Sequence, residues 1–329
     1  MKAIVIASPG GPEQLVLREV ESPVPSRGEV RVRVRASAIN RADLLQRMGM
    51  YPAPADAPKD IPGIELAGVV DALGEGVTRL AVGDRVFGLV GGGAYAEHVT
   101  AHERTLAKMP DGISFTDGAA IPEAFITAYD AMVTQARLAA GESVLVSAVG
   151  SGVGTAAVQI ARAIGAVAIG TSRTEDKLGR AHALGMRHGV TVAPDGKFAD
   201  AVRGLTGGAG VDVVLELVGG AYMAENLACT ALRARIVLVG MLAGNRAELD
   251  LGAILRKRLE IRGTVLRSRP LEEKILAAQT FERHLVPLFA TGALAPVVDK
   301  TFPLADAAGA HAYVATNDGF GKVVLEMAE

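Results

Sequence analysis

Residues 144–154 read Val144-Leu145-Val146-Ser147-Ala148-Val149-Gly150-Ser151-Gly152-Val153-Gly154, a short apolar strand running into a glycine cluster that opens an apolar-periodic helix. Such a turn is built to hold a pyrophosphate. Gly150, Gly152 and Gly154 carry no side chain, so the backbone turns tightly, approaches phosphate oxygens and lets the helix pack close to the sheet. The positive end of the helix dipole then meets the phosphate charge. Tight packing turns also use glycine, so the motif gains weight only from its surroundings.

Those surroundings are a run of strands alternating with helices of ten or more residues, from about 123 to 262, which implies a parallel sheet with crossover helices. Val153, Ala157, Ile160, Ala161 and Ile164 form one stripe of the first helix, Gly152 to Ile164. The second strand reads Val167 to Thr171. Later strands are legible at Val211 to Val218 and Arg235 to Gly240, and a weaker third lies around His188 to Val192. Upstream, residues 1 to about 120 show short Val- and Ala-rich strands split by turns such as Ser8-Pro9-Gly10-Gly11-Pro12, which predicts a β-rich, barrel-like unit. Gly321-Lys322-Val323-Val324-Leu325 reads as a terminal strand returning to that unit.

Composition narrows the class. With 50% hydrophobic and 21% charged residues over 329 positions, the chain is globular and long enough for two domains. Met1 to Ile6 reads as a strand rather than a signal peptide, and no apolar run reaches the roughly 18 to 20 residues that span a bilayer, so the cytoplasm is the expected location and no membrane partner is expected. A formal net charge of −2 and 4% aromatics argue against nucleic acid as a partner. Arg31, Arg33 and Arg35 alternate with Val30, Val32 and Val34, the pattern of a strand with one wet face. The single cysteine, Cys229, rules out an intrachain disulfide and a cysteine-rich zinc site and reads as a small buried hydrophobe.

The second strand ends in Thr171-Ser172-Arg173-Thr174, where a carboxylate would accept from the ribose hydroxyls of NAD. Ser172, Arg173 and Lys177 instead offer a hydroxyl and two cations suited to a 2′-phosphate, which favours NADP(H). Glu175 reaching back to the ribose is the opposing reading, and a solvated helix start the neutral one.

Ala38-Ile39-Asn40-Arg41-Ala42-Asp43-Leu44, Ile61-Pro62-Gly63-Ile64-Glu65-Leu66-Ala67-Gly68, Val82-Gly83-Asp84-Arg85-Val86, Gly93-Ala94-Tyr95-Ala96-Glu97, the glycine turn and Gly321-Lys322-Val323-Val324-Leu325 together span nearly the whole chain. On them the sequence resembles the medium-chain dehydrogenase/reductase superfamily, in its zinc-free quinone oxidoreductase branch. Asn40 to Arg47, Tyr51, Ser151 and Leu266-Arg267-Ser268-Arg269 look most like the tumour-suppressor-inducible quinone oxidoreductase group, with zeta-crystallin a more distant relative. The resemblance implies an α/β fold: a doubly wound parallel (Rossmann) sheet over 123–262 and a GroES-like β-rich barrel domain over 1–122 and 263–329. Zinc-dependent members carry a cysteine near position 39 and a histidine where Gly63-Ile64-Glu65 has Ile64. Ile39 and Ile64 cannot ligate a metal, so zinc-independent chemistry is expected, with Glu65 structural and paired with a cation.

By the same resemblance the NADPH site comprises Thr127, Gly240, Met241 and Leu242 by the nicotinamide, and Gly150, Ser151, Gly152, Val153 and Gly154 at the pyrophosphate. Ser172 and Lys177 hold the 2′-phosphate, joined by Arg173 on the reading of the strand end given above, and Leu266 and Lys322 complete the site. Close relatives place a tyrosine by the adenine phosphate where this chain has Val192, which leaves the burden on Arg173 and Lys177. The implied activity is hydride transfer from NADPH to a quinone, with Asn40 and Tyr51 the catalytic candidates facing the acceptor oxygen and Tyr51 a proton donor. Two other readings stay open: an NADPH-dependent enoyl or alkenal double-bond reductase, and a cofactor-binding protein with a structural or RNA-binding role. A homodimer is implied, joined near Ala253 to Leu266, where Arg256-Lys257-Arg258 reads equally as a solvated loop.

Overall fold

The computed structural model describes residues 1–328. The chain divides into two compact units, one made of residues 1–126 with the chain from Leu266 onward, the other of Thr127–Val265.

In the second unit six strands stand in the order His188–Thr191, Val167–Ser172, Ser143–Val146, Val211–Glu216, Thr230–Leu238, Glu260–Gly263, every neighbouring pair parallel. The first strand in sequence is thus central, and the order reverses between it and Val211–Glu216, the switch point where sheets of this kind bind ligands. Val144, Leu145, Val146, Val213, Val214, Leu215 and Ile236 are fully buried, which is why these strands read as continuous apolar runs rather than alternating ones. Strand His188–Thr191 gave a weak signal because it is a four-residue edge strand whose one buried side chain is Val190. The helix after the glycine turn spans Gly152–Ala163 and ends at Ile164. Lys257, in the basic cluster expected as a solvated loop or dimer edge, belongs to helix Leu251–Lys257; its ammonium donates to the carbonyls of Leu227 (2.7 Å), Ala228 (3.1 Å) and Thr230 (2.8 Å), closing helix Tyr222–Cys229. Cys229 is buried, and burial pushes its thiol up to about 12.

In the first unit a sheet runs Val298–Pro303, Lys322–Glu326, Glu29–Ala38, Glu65–Leu73, Arg85–Leu89, Leu106–Lys108, with His98–His102 also paired to Glu29–Ala38. The hairpin Lys2–Ile6 and Leu15–Glu19 lies beside it as a separate two-stranded sheet. Val30, Val32 and Val34 are buried while Arg33 is exposed and Arg31 pairs with Asp71 at 2.9 Å, so the alternating strand has its wet face. The terminal strand returns as expected, antiparallel to Glu29–Ala38 with Val324 opposite Ala38. That return brings Lys322 to Asn40 across nearly the whole length of the chain.

Candidate active site

All six strands of the second unit point the same way, so the segments that leave their carboxyl ends share one edge of the sheet. Residues 147–154, 173–177, 217–220 and 239–244 lie on it. Ser151 caps helix Gly152–Ala163: its Oγ accepts from Gly154 N at 3.1 Å. A Cβ on Gly154 would stand 2.6 Å from Val149 O and 2.7 Å from Ala148 O, so only glycine permits this approach of helix to turn. The positive φ in the turn falls on Ala148 (47°). Glu216, fully buried, anchors the neighbouring loop: its carboxylate accepts from Ser147 Oγ, from the N–H groups of Val218 and Gly219, and from Asn226 Nδ2. Gly219 (φ 70°) lets that loop touch the one holding Met241, to whose Cα a Cβ would come within 3.0 Å. Gly240 lies against Leu217 O in the same way, while Met241 and Leu242 are exposed, 62% and 49%.

At the end of strand Val167–Ser172, Ser172 is buried and its Oγ accepts from Thr174 N at 3.2 Å. Arg173 is exposed and Lys177 half-buried on helix Glu175–Ala183. Glu175 and Asp176 open that helix, where carboxylates favour the positive dipole end. Val192 is buried within the core that also holds Phe198 and Val202.

The first unit carries a buried polar cluster. Asn40 caps helix Arg41–Arg47 in a capping box with Asp43. Its Nδ2 donates to Glu65 Oε1 at 2.8 Å and to Ala38 O, and its Oδ1 accepts from the Lys322 ammonium. Lys322 also lies 2.7 Å from Glu65 Oε1 and 3.9 Å from Glu123 Oε2, and donates to Ile39 O at 3.1 Å. Burial alone would lower this ammonium, yet Glu65 and Glu123 carry it above its ordinary value. Glu65 is therefore paired with a cation, as expected, and its Oε2 also accepts from Glu123 N. Ile39 and Ile64, both buried, provide no donor for a metal, and Glu65 is already committed to Lys322; zinc does not fit these residues.

Asp43 accepts from Asn40 N (2.8 Å), Gly63 N (3.0 Å) and the Tyr95 hydroxyl (3.3 Å). Burial pushes its carboxyl up to about 6, against the pull of those two N–H groups. Tyr95 Oη also lies 3.1 Å from His311 Nε2, and His311 Nδ1 lies 3.4 Å from Arg47 Nη1. Burial, with Arg47 adding to it, pushes His311 down to about 3, so its imidazole is neutral. Arg267 donates to Gly91 O and Gln46 Oε1, and its guanidinium carbon sits 5.4 Å from the centre of the Tyr51 ring.

The expected cofactor residues 150–154, 172, 173, 177 and 240–242 thus gather on one sheet edge. Thr127, buried on helix Pro122–Tyr129, and Leu266, half-buried where the first unit resumes, lie outside those segments. Lys322 sits with Asn40 and Glu65. Sequence reasoning passed over Asp43, Tyr95, His311, Arg47, Arg267 and Glu216. Asp43 had one local signal, its position three residues after the cap Asn40; the others meet partners far away in sequence.

Profiles of two families match the chain: an alcohol dehydrogenase GroES-like domain over residues 26–111 and a zinc-binding dehydrogenase over 152–282. A quinone oxidoreductase of Lama guanicoe is 35% identical over 99% of this chain and 97% of its own length. Among solved structures, a quinone oxidoreductase of Escherichia coli complexed with NADPH superposes with a TM-score of 0.88 at 29% identity, covering 99% of this chain and 100% of that one. An NAD-dependent alcohol dehydrogenase superposes equally well, TM-score 0.88 at 35% identity, with both chains fully covered.

Proposed function

The chain belongs to the medium-chain dehydrogenase/reductase superfamily, with quinone oxidoreductase relatives along its full length, and from that premise we propose that it is an NADPH-dependent quinone oxidoreductase working without zinc. The observation that carries the reading is the Lys322–Glu65–Asn40 cluster: an ammonium neutralises the Glu65 carboxylate, and the residues preceding Asn40 and Glu65 are Ile39 and Ile64, buried and unable to ligate. No Lewis acid is then held to activate an alcohol, so the acceptor must already be electrophilic, and a quinone is.

The residues present fit the cofactor. Gly154 lets the helix start pack against the turn, and that helix N-terminus would meet the pyrophosphate, with Gly150, Ser151, Gly152 and Val153 as the rest of the cradle. Ser172, Arg173 and Lys177 would hold the 2′-phosphate; Thr127, Gly240, Met241, Leu242 and Leu266 would line the remainder. NADPH supplies a hydride when bound. Asn40, whose amide is committed to Glu65, Ala38 and Lys322, contributes by fixing the cluster, and Tyr51 is the side chain offered to the acceptor. The enzyme works on a small molecule, in the cytoplasm, as a homodimer; among the described residues no helix is long and apolar enough to cross a membrane.

The test is oxidation of NADPH, and in parallel NADH, by the purified protein with an ortho-quinone, an enone and an acyl-CoA thioester, with and without EDTA. Oxidation that prefers NADPH and quinone and ignores EDTA supports the reading. Preference for NADH removes Arg173 and Lys177 as the phosphate clamp, preference for the enone moves the chain to double-bond reduction, and binding without turnover removes the enzymatic reading.

A further inference from the structure

Arg267 follows Leu266, the residue at which the chain re-enters the first unit, and is 7% exposed. Its Nε donates to Gly91 O at 2.7 Å and its Nη2 to Gln46 Oε1 at 2.5 Å. Gln46 is itself fixed by donation from Nε2 to Lys59 O at 3.1 Å. The guanidinium is planar and rigid, so two anchored nitrogens leave the third with a set direction. That third nitrogen, Nη1, is buried and has no hydrogen-bond partner among the described residues. Asp43, the buried acid whose charge acts on it, accepts instead from Gly63 N, Asn40 N and the Tyr95 hydroxyl. A desolvated cationic donor without an acceptor is costly to keep, and such an atom points to a ligand that brings the acceptor. The Tyr51 ring lies along the same guanidinium, 5.4 Å from its carbon. The buried orphan donor therefore adjoins the one side chain offered to the acceptor on independent grounds.

We propose that Arg267 binds the carbonyl oxygen of the acceptor through Nη1. This rests on the quinone reductase reading and names the group that makes it work without metal. NADPH would supply a hydride, which carries two electrons and one hydrogen atom; once the conjugated system has taken it up, the carbonyl π pair ends on oxygen as an oxyanion. One proton, from the Tyr51 hydroxyl or water, completes the hydroquinone. Arg267 stays protonated throughout and stabilises the oxyanion before that proton arrives, as preorganised donors do. The ligand class is a conjugated carbonyl compound whose oxygen gains charge on reduction, and its phenolate is the closest stable mimic.

The test uses the full-length protein with Arg267→Lys and Arg267→Ala. The first readout is independent of turnover: 4-nitrophenol bound to wild type ionises at a pH about one unit lower than when free, seen as phenolate absorbance, and the shift disappears in Arg267→Ala. The second is quinone turnover. In Arg267→Ala kcat/KM falls about 100-fold, most for the least electron-poor quinones, while NADPH affinity holds and added methylguanidinium restores part of the rate. Arg267→Lys, which keeps the charge but loses the fork, lies between. Quinone turnover and nitrophenol ionisation unchanged in Arg267→Ala overturn the proposal alone. So does a loss that tracks a fall in thermal midpoint, is equal for all quinones and is not restored by methylguanidinium, because that is the signature of a loop tie. A wild-type protein inactive on every quinone overturns the functional reading first and this one with it.

Discussion

A single methyl group decides whether the glycine turn survives. The Cβ of Gly154→Ala would meet two carbonyl oxygens of the backbone, of Val149 and Ala148, at 2.6 and 2.7 Å, and no side-chain rotation relieves that. We expect the substitution to cost about 1–3 kcal/mol of stability, as overpacking does, and to weaken NADPH binding as the turn shifts; urea unfolding and a fluorescence titration check the two parts. At Tyr51 the ring and the hydroxyl have separable duties. Tyr51→Phe keeps the ring beside Arg267 and removes only the proton donor, so turnover should fall by a factor of about 10² or more with NADPH affinity unchanged. Unchanged turnover would remove Tyr51 as donor and leave water to supply the proton.

At the scale of elements, helix Arg41–Arg47 and helix Ala307–Thr316 are joined by the buried row Asp43, Tyr95, His311, Arg47. Two titratable members of that row, His311 and Asp43, oppose each other in acid. His311 has a folded value of about 3 against an ordinary 6.5, so its contribution is complete above pH 6.5 and is lost as pH falls. Asp43 has a folded value of about 6 against 3.8, so the folded state holds its proton more tightly and gains stability as pH falls through that window. Each changes stability by about 1.4 kcal/mol per pH unit, and between about pH 4 and 6 they nearly cancel. His311→Gln exposes the Asp43 half: relative to wild type it should gain about 1.4 kcal/mol per unit as pH drops below His311's ordinary value, measured by urea unfolding at a series of pH values. A constant difference between the two proteins would show that His311 takes no part in the acid response. This row also marks the limit of what the sequence discloses. The parallel strands were legible because burial on both faces makes them unbroken apolar runs, and the glycine turn because its spacing is local. Tyr95 and His311 stand 216 positions apart, Arg47 and His311 264, and Gln46 and Arg267 221, and no periodicity or motif links residues at that distance. The same holds for Lys322, whose partner Asn40 was legible as a site candidate but not as its anchor. The residues that gather at the carboxyl edge of the parallel sheet were therefore readable one by one, whereas the polar cluster of the first unit required the fold.

For the whole molecule the open question is what covers the last strand of the parallel sheet. Glu260–Gly263 pairs with Thr230–Leu238 on one side and ends the sheet on the other. Around it Leu232, Leu251, Leu255 and Val265 are 58%, 72%, 78% and 52% exposed. An unpaired edge flanked by exposed apolar side chains invites pairing with another chain, and natural proteins that leave such an edge open usually guard it with charge, a bulge or proline. Arg137, Glu260 and Arg262 do place charge here, but their ion pairs are half-exposed and contribute little. The homodimer proposed above would add a second copy's edge across a two-fold axis and so cover the strand and the leucines at once. Leu255→Asp and Val265→Asp, both at exposed positions, should leave each protomer within about 0.5 kcal/mol of its original stability. In sedimentation velocity they should convert a dimer to a monomer, and quinone turnover per protomer then reports whether the site needs the assembly. Sedimentation of the unaltered protein as a monomer would mean that the charged edge suffices to keep it apart and that the exposed leucines serve some other contact.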